Sequence, residues 1–104
     1  MKFEQRNLFG GEGLVEIEDL FQQRPLAPFR EALFCRLEPD GRVGAHRQEH
    51  YAEILLIAAG RGVALVQGEP HPLSPGTLVP LPLGHSLELH NGAEEWLSYF
   101  IVKA

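Results

Sequence analysis

Three side chains in this 104-residue chain combine types and a spacing that could do chemistry: His46, Gln48 and Glu53. They lie in the stretch Asp40-Gly41-Arg42-Val43-Gly44-Ala45-His46-Arg47-Gln48-Glu49-His50-Tyr51-Ala52-Glu53, which runs straight into an apolar segment ending at Gly60. An imidazole and a carboxylate can ligate a divalent metal, pass protons or fix a polar molecule, and a glutamine amide adds one donor group and one acceptor. Residues two apart on a strand share a face, so His46 and Gln48 are expected to point the same way. Glu53 opens an apolar strand. If it is buried it needs a partner, and Gln48, His46 or a metal would serve; the other reading is a solvated carboxylate at the rim. His50 falls in the Glu49-His50-Tyr51 bend, where periodicity gives no direction.

The remaining reactive side chains are placed by their neighbours. His85 has the parity of Leu87 and Leu89, so it can enter the same interior or stand at its rim. His90 has the opposite parity and should face away, and His71, between Pro70 and Pro72, is expected in solvent. Cys35, within Ala32-Leu33-Phe34-Cys35-Arg36-Leu37, reads as a small buried core residue, and as the lone cysteine it rules out an internal disulfide. Tyr51 and Tyr99 read as partly buried aromatics.

The elements that must position these residues are short strands. Eleven glycines and eight prolines, mostly between short apolar runs, mark tight turns and argue against long helices. Strands are expected at 29–38, 42–46, 52–59, 63–67, 77–81, 86–90 and 96–102, with an edge segment at 70–73. Residues 14–21 are ambiguous between strand and helical turn, and the alternation of Val15, Ile17 and Asp19 favours a strand. A single domain covering 1–104 is expected, with residues 1–13 as its flexible N-terminal entry. Sequential hairpins make antiparallel pairing the default, so the fold class is all-β, a sandwich or barrel with little or no helix.

These positions resemble the two motifs of a small single-domain cupin, an antiparallel jelly-roll β-barrel. In the first motif, His46, Gln48, Glu53 and Gly60 fall on the cupin spacing, and the leading glycine is displaced by one position, to Gly41. In the second, Gly76, Pro82, Gly84 and Asn91 match, and Leu87 stands where cupins carry a histidine. The resemblance implies a barrel mouth holding His46, Gln48, Glu53 and Leu87, with His85 one residue pair, ~6–7 Å, along the strand from the expected ligand position. It also implies a single divalent transition metal (iron, manganese, nickel or zinc) held by His46, Gln48 and Glu53. The chain departs from the cupin pattern at two of the four ligands, since a glutamine carbonyl is a poor ligand and leucine is none.

The first functional expectation is therefore a cupin that binds a small polar molecule in its mouth. The alternatives are a metal-dependent cupin enzyme of dioxygenase, isomerase or decarboxylase type, and a metal-free acid–base enzyme in which Glu53 orients His46. Nine basic against fourteen acidic residues give a net charge of −5 with the basic residues scattered, which disfavours nucleic-acid binding. No apolar run approaches a membrane span, and no apolar core follows the N-terminal charges as in a secretory signal, so a cytosolic location is expected. A homodimer is expected as well, because Ile54, Leu56 and Ala58 give their strand an apolar second face and the 96–102 strand is apolar on both sides.

Overall fold

A computed structural model describes residues 2–104. Its ten strands are β1 (Lys2–Arg6), β2 (Leu14–Asp19), β3 (Glu31–Leu37), β4 (Arg42–Arg47), β5 (Glu53–Ala59), β6 (Gly62–Val66), β7 (Glu69–Leu73), β8 (Leu78–Leu81), β9 (Ser86–His90) and β10 (Leu97–Lys103). The only helical element among the described residues is a single 3-10 turn at Leu8–Gly10. Among the described residues no helix is long and apolar enough to cross a membrane. Two antiparallel sheets face each other, one ordered β1-β2-β3-β10-β5-β8 and the other β4-β9-β6-β7.

The expected strands all form, with ends displaced by one or two residues, and residues 14–19 settle as strand. The N-terminal segment differs from expectation. Residues 2–6 are not a loose lead-in but strand β1, paired in register with β2 and tied by Lys2 to Glu18 at 3.7 Å; Met1 lies outside the described residues. All five β1 residues are exposed, so no apolar alternation marked the strand. Backbone pairing to β2 defines it.

Register sorts the side chains of the larger sheet into rows. Ile17, Cys35, Tyr99 and Ile57 form one inward row, and Leu33, Ile101, Leu55 and Val79 another. With Val43, Leu87 and Leu89 from the smaller sheet they fill the space between the layers, as expected where two sheets bury one face each. The outward rows are also apolar: Phe34, Phe100, Leu56 and Leu78 lie side by side, next to Ala32, Val102, Ile54 and Pro80.

The end of the barrel away from Glu53 is fastened by Asn91, which is 1% exposed. Its amide nitrogen lies 3.1 Å from the carbonyls of Leu37 and Glu38 and 2.8 Å from that of Glu95, and its Oδ1 accepts the Ala93 N–H at 3.1 Å. One side chain thus joins the β3–β4 turn to the β9–β10 loop.

Candidate functional site

The opposite end of the barrel opens into a cavity of about 380 Å³ between the sheets. His46, Gln48, Glu53 and Leu87, all expected at the mouth, line it. Strict alternation from the inward Val43 would have turned His46 outward. A β-bulge prevents this: Val43 pairs with Leu89 and His46 with Leu87, so Gly44 and Ala45 together oppose the single residue Glu88. The extra residue returns His46 to the interior. Gly44 has room for this only because it lacks a side chain, since a Cβ there would sit 1.9 Å from the Phe9 carbonyl oxygen.

His46 Nδ1 lies 2.9 Å from the Gly44 carbonyl. A carbonyl can only accept, so Nδ1 carries the proton in the neutral ring and Nε2 is left as an acceptor. Phe9 stacks on the ring, with centroids 3.9 Å apart and planes 13° from parallel. Burial lowers the imidazole pKa most; the Gly44 hydrogen bond works against that shift, and nearby Lys103 adds to it. His46 is therefore neutral at physiological pH.

Gln48 and Glu53 are 6% and 5% exposed. Gln48 Nε2 and Glu53 Oε2 are both buried with no hydrogen-bond partner among the described residues. The partner expected for a buried Glu53 is thus not supplied by Gln48 or His46. Register explains what surrounds it. Glu31, Lys103 and Glu53 lie opposite one another on three adjacent strands. Lys103 Nζ is 3.1 Å from Glu31 Oε2, so the cation that could neutralise Glu53 is already paired. Desolvation pushes the Glu53 carboxyl up to about 7, with Lys103 opposing the shift and Glu31 adding to it. Replacing Glu31 by glutamine is expected to release Lys103 and bring the Glu53 pKa down, read from its carboxyl ¹³C shift across a pH titration. An unchanged Glu53 midpoint would show that Lys103 does not reach it.

Cys35 is in the core as expected, but it also forms part of the cavity wall. Burial, with Glu53 next in effect, pushes its thiol up to about 12, so it is protonated and inert as a nucleophile. Tyr99 is fully buried on the wall rather than partly so, and burial raises its phenol pKa further. His85 is not among the residues lining the cavity. It acts through the main chain, its carbonyl accepting the Gln48 N–H at 2.9 Å. His50, which periodicity could not orient, does line the cavity, as do Glu31, Lys103 and Phe9. His90 faces away and pairs with Glu88, and His71 is exposed, both as expected.

The donor set falls short of what a first-row metal needs. His46 and Glu53 offer one nitrogen and one carboxylate, Gln48 at best an amide oxygen, and Leu87 nothing. No group of three His, Cys, Asp or Glu side chains is placed to hold a metal among the described residues.

A two-sheet antiparallel barrel with these motif positions at its mouth is a cupin. The chain belongs to the family of AraC-like ligand binding domains, whose match spans residues 32–104. It is 30% identical over 98 residues to an oxalate-binding protein of Thermotoga maritima, covering 92% of this chain and 80% of that one. The crystal structure of a predicted oxalate decarboxylase from the same organism superposes with a TM-score of 0.92 at 27% identity, over 99% of this chain and 90% of the other. A cupin 2 conserved barrel domain protein from Salinispora arenicola gives 0.75 at 26% identity, over 86% and 74%.

Proposed function

We propose that this chain binds a small polar molecule in the barrel, held by Gln48, Glu53 and the free Nε2 of His46 against apolar walls that include Leu87 and Leu89. The observation that carries this reading is the pair of unpartnered polar atoms, Gln48 Nε2 and Glu53 Oε2, in one cavity. Buried polar groups in native proteins are nearly all hydrogen-bonded, and two orphans facing a shared hollow are partners for the polar atoms of a ligand. A carboxylate supplies acceptors to the Gln48 amide N–H and, while Glu53 is protonated, to its O–H, and the name of the Thermotoga relative makes oxalate the first molecule to try. Glu53 is neutral only near and below pH 7, so an anionic acid should bind more tightly at pH 6 than at pH 8.

Calorimetric titration with oxalate, with and without added iron, manganese, nickel or zinc, tests the reading. Binding without metal, weakened roughly tenfold or more by Gln48→Leu, is the expected result. Binding that requires a metal and survives Gln48→Leu would refute it.

We further infer that a second copy of the chain covers the outward apolar face of the larger sheet. Ile54, Leu56 and Leu78 are 39%, 36% and 52% exposed there. On the strands at the other side of this sheet, Lys2 is matched with Glu18 and Arg36 with Glu16 within the chain. A continuous apolar face of this kind, with two of the ion pairs on the same sheet already closed within the chain, suits a copy of itself. Sedimentation should give twice the chain mass, falling to one chain mass with Leu56→Glu; a wild-type monomer at micromolar concentration would count against the dimer.

A further inference from the structure

A second hollow, of about 820 Å³, lies outside the barrel mouth and is walled by the segment between β2 and β3. Glu31, His50 and Tyr51 line both this hollow and the barrel cavity, so the two adjoin. The outer wall is fastened to the barrel. Phe29 N donates to the Leu26 carbonyl at 2.8 Å, Arg30 N to that of Lys103 at 2.8 Å, and Ala104 N to that of Ala52 at 3.0 Å. Its surface is unusual for a solvated rim, because Phe29 and Tyr51 are 40% and 41% exposed on it. The Arg30 guanidinium stands 5.6 Å from the Tyr51 ring centroid. No carboxylate pairs with Arg30 among the described residues, whereas Glu31 on the same wall is neutralised by Lys103.

Aromatic faces and an unpaired guanidinium recognise flat and anionic groups, respectively. We propose that the barrel ligand is an elongated organic acid, with a compact polar head among Gln48, Glu53 and His46, a flat middle against Tyr51 and Phe29, and a distal anionic group on Arg30. This rests on the barrel cavity being the binding site. It adds the outer hollow as a second subsite that selects for length and for a distal charge.

Three probes separate the two subsites: oxalate, 3-phenylpropionate and 3-(4-carboxyphenyl)propionate, titrated calorimetrically into the full chain. Both ring-bearing acids should bind more tightly than oxalate, and the distal carboxylate should make the third probe the tightest. Arg30→Ala should remove roughly three- to tenfold from the third probe and little from the other two. Tyr51→Ala should remove the gain due to the ring, and both side chains are exposed enough for the variants to fold. If oxalate binds but the longer acids gain nothing, or if Arg30→Ala weakens oxalate as much as the carboxyphenyl probe, the second subsite is refuted while the barrel site stands. If none of the three binds, the barrel reading fails and this proposal fails with it.

Discussion

Glutamine in place of Glu53 should raise the unfolding free energy at pH 8 by about 3 kcal/mol and change it little at pH 4. Burial raises the folded carboxyl to about 7 from the ordinary glutamate value of 4.5. Between those values the folded chain holds a proton that the unfolded chain has released, so stability falls as pH rises from the lower value through the higher and is level above it. Below both values Glu53 is neutral in either state and contributes no pH dependence. Glutamine keeps the shape and cannot ionise, so it removes the loss. For a chain of this length, ~3 kcal/mol corresponds to roughly 10 °C or more in Tm. The measurement is the difference between variant and wild-type stability from pH 4 to pH 9, which cancels other titrating groups. A difference that does not grow between pH 5 and pH 8 would mean that Glu53 is ionised at little cost, and the polar orphan at the centre of the site would be lost with it.

The second large effect lies at the other end of the barrel. Asn91→Ala is expected to cost 3 kcal/mol or more, because it leaves the Leu37, Glu38 and Glu95 carbonyls and the Ala93 N–H without their shared partner. Asn91→Asp keeps the acceptor for Ala93 but turns a negative edge toward three carbonyls, so it should be no better tolerated at neutral pH. Urea unfolding measures both. A loss below about 1 kcal/mol would show that water replaces the amide at little cost. Asn91 is remote from the mouth, so protein that remains folded should bind its ligand with unchanged affinity, which separates a stability effect from a site effect.

Much of this protein was legible in the sequence, because its strands are short and bounded by Gly and Pro turns. Alternation placed Leu87 and Leu89 inward and His90 outward, and motif spacing brought His46, Gln48 and Glu53 together at one mouth. Local pattern determines the first of these, since the side-chain period of a strand is a property of the strand itself, whereas the second follows from the resemblance to the cupin motif. Tertiary structure decided the rest. Strand β1 has no buried face and exists by pairing with β2. A bulge at Gly44 and Ala45, not plain alternation from Val43, turns His46 inward. His85 has the right parity but holds Gln48 through its backbone instead of lining the cavity. The row of Glu31, Lys103 and Glu53 joins three strands far apart in the chain, and that row leaves Glu53 without a counterion. Register between distant strands follows from how whole sheets pack, so the electrostatics of the site could not be read from any one segment.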